Sequence, residues 1–163
     1  MRVRIGFGFD AHRFAPDRKL ILGGVLVPHM PGLAGHSDAD VLTHAIIDAL
    51  LGAAGLSDIG TLFPDSDPEY KDISSLELLR RALGQVATSG LRVVNIDSTV
   101  VCESPRIGPH VTAMKEKLSG VLQLAPDLIS IKGKTTEKMG FTGRGEGIAA
   151  YAVVLLEEGA SSR

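Results

Sequence analysis

The sequence predicts an α/β protein of the α+β type, with one mixed sheet carrying helices on one face, in a single domain over residues 1–163. Three observations predict it. The chain has 163 residues, the length of one domain, and at that size roughly 70% of the unfolded surface is buried without help from disulfides. Segments with two-residue alternation or β-branched runs are separated by segments with helical spacing. Their order is strands, helix, helix, strand, helix, strand, strand, with no repeat or linker between them, which suits helices layered on a sheet.

Each element has its own signal. Val3, Ile5, Phe7 and Phe9 alternate with small or polar residues and read as a strand. Leu20 to Val27 carries Gly23-Gly24 at its centre, a hairpin signal. Ser37 to Leu51 reads as a helix with Ser37 as N-cap and Asp40 three residues later, much like a capping box. Gly52 to Tyr70, rich in turn residues and acids, reads as a long loop, and loops of that length are usually functional or mobile. Ser74 to Thr88 is an amphipathic helix closed by Ser89-Gly90. Leu91 to Cys102 is β-branched and reads as a strand. Pro105 to Gly108 turns the chain, and Pro109 suits the first position of a helix to about Leu122. Leu128 to Lys132 and Ile148 to Leu156 are the last strands, with the glycine-rich Gly140 to Gly147 between them. Helices on one face leave the other face of the sheet bare, and subunit association is its simplest cover.

Composition excludes several functions. The net charge is −2, with no Trp, two Tyr and five Phe. That gives neither the electrostatic footprint of a nucleic-acid protein nor a stacking platform for single strands. The longest apolar runs, such as Ile148 to Leu156, are too short to span a bilayer. The N-terminus lacks the apolar stretch of a signal peptide. The single cysteine, Cys102, allows no internal disulfide and suits a reducing compartment. The expected location is cytoplasmic.

Asp10 and His12 are two apart on the first strand and so share a face. That face also holds Gly6 and Gly8, where a ligand can come close. His44 lies on the next helix, flanked by Asp40 and Asp48 at four-residue spacing, a polar stripe on an apolar helix. Buried polar stripes must be paired or bound. Two imidazoles and a carboxylate suit a catalytic zinc with an open fourth position, and Asp40 or Asp48 would hold the far ring nitrogen of His44.

Three further segments are suited to phosphate. His36-Ser37-Asp38 precedes the helix bearing His44, where free N–H groups and the helix dipole favour an anion. Asp58-Ile59-Gly60 with Phe63-Pro64-Asp65-Ser66-Asp67 is acidic, which suits hydroxyls or a cation rather than phosphate itself. Lys134-Thr135-Thr136-Glu137-Lys138 runs toward Gly140 to Gly147, which contains Phe141 and Arg144. Hydroxyls, Lys and a forked guanidinium bind diphosphate, and a carboxylate can hold Mg²⁺. The order of residues is not that of a Walker loop.

These blocks together resemble the 2-C-methyl-D-erythritol 2,4-cyclodiphosphate synthase family. The matching runs are Gly8 to His12, His36 to Asp40, His44 with Asp48 to Ala53, Asp58 to Gly60 with Phe63 to Asp65, Lys134 to Lys138, and Gly140 to Gly147. They occur in order over nearly the whole chain. Ala39 stands where the family usually has Gly, and Gly108 where a larger apolar residue is usual.

The resemblance implies a homotrimer with active sites between subunits. It implies zinc on Asp10, His12 and His44, and Mg²⁺ or Mn²⁺ on Glu137. His36 and Thr135 would stabilise the transition state. Asp58 and Gly60 would contact the erythritol portion, and Ser37, Ile59, Phe63, Asp65 and Asp67 would be further substrate contacts. Cys102, Pro105, Arg106, Ile107 and Gly108 would surround the cytosine, and Lys134, Thr136, Glu137, Phe141 and Arg144 would complete the substrate contacts. The implied substrate is the cytidine diphosphate-linked 4-diphosphocytidyl-2-C-methyl-D-erythritol 2-phosphate, closed to a cyclic diphosphate with release of CMP. A metal-dependent phosphodiesterase or pyrophosphatase would use the same ligands with a metal-bound water. A zinc-stabilised oligomer without activity is the third reading, although structural zinc sites usually have four protein ligands.

Overall fold

The alternation at the N-terminus produces a long strand, β1 (Val3–Ala15), in the computed structural model. The structure describes residues 2–159; Met1 and residues 160–163 of the expected 1–163 domain lie outside the described residues. β1 pairs antiparallel with the last strand, β7 (Gly147–Glu158), from Val3↔Glu157 to Arg13↔Gly147. β7 pairs antiparallel with β5 (Leu91–Val101), and β5 pairs parallel with β6 (Ile129–Lys134). The short β4 (Gly32–Leu33) extends the β1 edge, so the sheet is mixed with order β4-β1-β7-β5-β6. A parallel pair needs a crossover, and α4 (Val111–Leu122) supplies it. Gly23 and Gly24, both at positive φ, turn the separate hairpin of β2 (Leu20–Leu22) and β3 (Val25–Val27).

All three long helices lie on one side of this sheet. α1 (Val41–Ala54) sits on β1 and β7, α3 (Ser75–Thr88) packs on α1, and α4 packs on β6 and α3. Sandwiched between sheet and α3, α1 is buried everywhere except at Asp48 and Gly52, as expected of a helix that is apolar nearly all round. Its close approach to the sheet depends on Gly6 and Gly8. A Cβ on Gly6 would overlap the carbonyl of Ala49, and one on Gly8 that of Ala45. The two glycines therefore set the depth at which α1 lies, and with it the distance of His44 from Asp10.

The opposite face of the sheet is apolar and uncovered. Val3, Ile5, Phe7 and Phe9 of β1 and Tyr151 and Val153 of β7 are exposed, Ile5 to 72%. The Phe9 and Tyr151 rings lie 5.0 Å apart. Six large apolar side chains on one surface exceed the scattered exposure normal for a monomer.

Several boundaries differ from the sequence reading. α1 begins at Val41, and its N-cap is Asp40 rather than Ser37. The fully buried Asp40 carboxylate accepts hydrogen bonds from Thr43 N (3.0 Å), Gly23 N (2.9 Å), Gly24 N (2.7 Å) and Thr43 Oγ1 (2.7 Å). It wins the cap because one carboxylate satisfies both the helix start and the turn of the hairpin. Asp40→Ala would lose a cap and leave the Gly23 and Gly24 amides unpaired, so it is expected to destabilise the protein by about 3 kcal/mol or more. Urea unfolding measures this, and a loss under about 1 kcal/mol would contradict the anchoring role.

The stretch from Gly52 to Tyr70 is not one loop. α1 continues to Ala54 and is closed by Gly55 at φ 73. A short helix, α2 (Ile59–Leu62), is capped by Asp58, and a 3₁₀ turn over Pro68–Tyr70 is capped by Asp67. β5 contains a bulge between Val93 and Asn95. Leu91 and Val93 are buried before it and Ile96, Ser98 and Val100 after it. A run of β-branched residues carries no mark of such a slip.

Candidate metal and phosphate site

β1 brings Asp10 and His12 to the helix side of the sheet, and α1 brings His44 to meet them. Asp10 Oδ2 lies 2.8 Å from His12 Nε2 and 3.0 Å from His44 Nδ1. The two ring nitrogens are 3.2 Å apart. The Ala34 carbonyl is 2.6 Å from His12 Nδ1. A carbonyl only accepts, so Nδ1 carries a proton and Nε2 faces the carboxylate.

Burial pushes the Asp10 carboxyl upward, but the hydrogen bonds and charge of the two imidazoles outweigh it and hold it well below the usual carboxylate range. Burial pushes His12 down, and the Asp10 carboxylate reverses that and raises it. Three metal-ligating atoms thus converge from Asp10, His12 and His44. Two nitrogens and one oxygen suit a divalent cation that accepts mixed ligands, and three protein ligands leave a position for substrate or water.

The far nitrogen of His44 meets neither Asp40 nor Asp48. His44 Nε2 lies 2.8 Å from Ser75 Oγ and 3.2 Å from Ser37 Oγ. Residues four apart stand above one another along a helix, whereas this ring reaches off α1 toward the start of α3. Asp48 instead accepts from Ile59 N at 2.8 Å and ties down the segment leading into α2. Burial raises its pKa.

The triad opens into a cleft of about 200 Å³ that is also lined by His36, Ser37, Ile59, Gly60, Phe63 and Asp65. Sequence reasoning missed Gly35, Tyr70 and Leu78 in this lining; an apolar residue on α3 gives no sign that it faces a cleft. His36 Nε2 lies 3.4 Å from the Asp67 carbonyl. The expected anion site at a helix start is not formed by α1, because the Asp40 carboxylate occupies its first turn. Residues His36 to Asp38 form a loop ahead of the helix, and Ala39 closes it at φ 59. That left-handed backbone is the conformation glycine adopts at least cost, which accounts for the residue usual there.

Asp58 and Asp67 face other partners. Asp58 accepts from Thr61 N at 2.8 Å, which lowers its pKa, and Asp67 accepts from Glu69 N at 2.9 Å.

Cys102, Pro105, Arg106, Ile107, Gly108, Lys134 and Thr135 line a second, separate cavity of about 410 Å³ with Glu103. Ile107 packs against Gly133, where an added Cβ would stand 2.9 Å from the Ile107 Cβ. A Cβ on Gly108 would meet nothing within 4 Å, so a larger residue has room there. Glu103, which the sequence did not single out, accepts from Thr136 N at 3.2 Å and Lys138 N at 3.1 Å. It fastens a loop in which Glu137 and Lys138 both have positive φ, a conformation that costs non-glycine residues energy. Glu137 accepts from Thr135 Oγ1 at 3.0 Å. Thr136 Oγ1 donates to the Met139 carbonyl at 2.6 Å. Phe141 lies in the short α5 (Gly140–Gly143) and is 40% exposed. Arg144 is paired with Glu146 at 2.6 Å.

Cys102 is buried, and its thiol donates to the Pro105 carbonyl at 3.4 Å. Burial and then the Glu103 carboxylate push its pKa to about 11. Only about one thiol in a thousand is then ionised at pH 8, and thiolate is the reactive form. The native protein is expected to react with a disulfide reagent at least a hundredfold more slowly than the urea-unfolded chain. Its rate should rise about tenfold per pH unit up to the pKa. Equal rates before and after unfolding would contradict this.

The sequence-predicted residues that line these two cavities thus form two separate groups within one chain, and Asp58, Asp67, Thr136, Glu137, Phe141 and Arg144 lie outside both linings. The sequence model of the YgbB family matches residues 3–157. The 2-C-methyl-D-erythritol 2,4-cyclodiphosphate synthase of Syntrophomonas wolfei subsp. wolfei is 55% identical over 156 residues, covering 96% of this chain and 99% of that protein. A solved structure of 2C-methyl-D-erythritol-2,4-cyclodiphosphate synthase in its CDP-bound form superposes with a TM-score of 0.87 at 40% identity, over 94% of this chain and 100% of that one. The bifunctional IspDF of Campylobacter jejuni superposes with a TM-score of 0.93 at 43% identity, over 96% of this chain; the chain spans only 42% of that longer protein. By sequence along nearly its whole length, and by fold, the chain belongs to the YgbB family, that of the 2-C-methyl-D-erythritol 2,4-cyclodiphosphate synthases.

Proposed function

We propose that this enzyme converts 4-diphosphocytidyl-2-C-methyl-D-erythritol 2-phosphate to 2-C-methyl-D-erythritol 2,4-cyclodiphosphate and CMP, in the non-mevalonate route to isoprenoid precursors. The observation that carries the reading is the convergence of Asp10, His12 and His44 in a cleft beside His36 and Ser37, in a chain of this family. The reaction is a phosphorus–oxygen lyase reaction. An oxygen of the 2-phosphate bonds to the β-phosphorus, the bond from that phosphorus to the bridging oxygen breaks, and CMP leaves with the electron pair. No side-chain nucleophile is needed. The protein must fold one flexible substrate so that two anionic groups meet, which is orientation, and must counter the charge that builds up as they react.

Zinc is the proposed ion for the triad. Its bonds of about 2.0–2.1 Å to nitrogen and oxygen in a tetrahedron place neighbouring ligands about 3.3 Å apart, close to the spacings of 2.8, 3.0 and 3.2 Å observed. Glu137 would hold Mg²⁺ or Mn²⁺; an exposed single carboxylate beside a hydroxyl suits an ion whose other ligands are phosphate and water. When bound, the two cations supply Lewis-acid neutralisation of phosphate oxygens. His36 offers a ring nitrogen and Ser37 a hydroxyl at the cleft wall. Thr135 offers a hydroxyl beside Glu137. The backbone of Ile59 and Gly60 with the Phe63 ring shapes the sugar side, and Cys102 to Gly108 forms the wall for cytosine.

We further propose a homotrimer in which the metal cleft of one subunit meets the nucleotide cavity of the next. A cleft of about 200 Å³ falls below the roughly 300–1,000 Å³ that drug-sized ligands occupy, so a nucleotide-linked substrate needs more wall than one subunit's cleft provides. The bare apolar sheet face supports self-association. No described helix is long and apolar enough to cross a membrane, and the single free thiol suits work in the reducing cytoplasm.

Incubation with the substrate and Mg²⁺, followed by ³¹P NMR, tests the reading. The cyclic diphosphate and CMP are expected. Linear fragments carrying solvent oxygen would identify a phosphodiesterase instead, and unchanged substrate would remove the proposal.

A further inference from the structure

Behind His44 runs a buried hydrogen-bonded chain that ends on Asp38. Ser75, the first residue of α3, is fully buried. Its hydroxyl lies 2.8 Å from His44 Nε2 and donates to Asp38 Oδ1. Asp38 Oδ2 accepts from Ser75 N at 3.0 Å, and Oδ1 accepts from Asp40 N at 3.2 Å. An ionised carboxylate only accepts, and a serine hydroxyl has one proton to give. With that proton on the Asp38 side, the Ser75 oxygen presents a lone pair to His44. The Ser37 hydroxyl, 3.2 Å from the same nitrogen, accepts from Ala39 N at 3.2 Å. Nε2 of His44 therefore faces one oxygen, that of Ser75, placed to accept, while the Ser37 hydroxyl still has its own proton to give. If it carries the proton, Nδ1 is left with its lone pair toward Asp10 and His12.

We propose that Asp38 and Ser75 are positioning residues: the Ser75 oxygen, with its proton held by Asp38, accepts the Nε2–H of His44 and so favours the ring form whose Nδ1 can ligate a metal beside Asp10 and His12. This rests on the reading of Asp10, His12 and His44 as ligands. The opposite tautomer would point an N–H into the ligand set and remove one of three donors. Hydrogen bonds on the far nitrogen of a ligating histidine are worth about 10–100-fold in metal affinity.

The test is zinc affinity, measured by competition with a chelator on metal-free protein, with the ring nitrogen that His44 gives to zinc read separately by ¹⁵N NMR on the loaded protein. Ser75→Ala and Asp38→Ala are each expected to weaken zinc about 10–100-fold. Because they act through one chain of bonds, the double variant should be no weaker than the weaker single one. Ser75→Thr keeps the hydroxyl and should restore affinity. Urea unfolding separates this from a general loss of stability, which would lower the midpoint without moving the affinity of the folded fraction. Wild-type binding with unchanged affinity in a folded Ser75→Ala variant overturns the positioning role. Failure of the wild type to bind zinc at all overturns the ligand reading instead. Should Ser75→Ala not fold, Asp38→Asn carries the test: zinc weakened about 10–100-fold supports the proposal, and wild-type affinity overturns it.

Discussion

Replacing His44 with alanine is expected to abolish tight zinc binding and to lower turnover about a thousandfold. Asp10 and His12 alone leave two ligands, one of them a carboxylate at the mouth of the cleft. A cation that neutralises phosphate charge is worth several kcal/mol, and each 1.36 kcal/mol is a factor of ten in rate, so a loss of about 4 kcal/mol gives the stated factor. The fold should persist, because the ring borders a cleft and touches it through polar atoms. Metal analysis and steady-state rates on the folded variant measure both effects. Full zinc occupancy in His44→Ala would remove His44 from the ligand set.

The second large effect is a recovery of activity. Glu137→Ala is expected to keep zinc and lose most Mg²⁺-dependent turnover, since Glu137 is hydrogen-bonded to Thr135, which lines the cavity separate from the triad. Neither this variant nor His44→Ala should be active alone. Unfolded together and reassembled, they should regain about a quarter of wild-type activity. In a cyclic trimer the interfaces run head to tail. Random mixing then pairs an intact zinc half with an intact Glu137 half at about one interface in four. Sites built within one chain would each retain one broken half. No recovery, with mixed trimers demonstrated by mass, would rule out the shared site.

The periodicity of the sequence made the main layers legible. Alternation at Val3 to Phe9 gave β1, and the amphipathic Ser74 to Thr88 gave α3, nearly to the residue. Gly6 and Gly8 share the face of Asp10 and His12, as their parity requires, but what approaches them is the α1 backbone rather than a ligand. The hairpin signal at Gly23-Gly24 also held. Two kinds of feature escaped. Caps were misassigned where several candidates lay close together: Ser37, Asp38 and Asp40 are all competent, and Asp40 caps α1 because a hairpin distant in sequence supplies two more donors to it. The β5 bulge escaped because Val93-Val94 suits a strand in either register.

By itself the sequence determined that Asp10 and His12 share a face, since spacing on a strand decides which side chains lie together, and it marked His44 as part of a polar stripe on an apolar helix. It also determined the phosphate-competent composition of Lys134 to Gly147. Only the tertiary structure decided the surroundings. It assigned Ser75 and Asp38 to the back of His44, Glu103 to the loop of Glu137, and the two halves of the expected site to separate cavities of one chain. The physical reason is range. Which residues share a face is a local property of backbone periodicity. A hydrogen-bond partner for a buried group depends on which distant element the packing brings alongside, and here the glycines of β1 let α1 settle against the sheet while α3 closes over its other side.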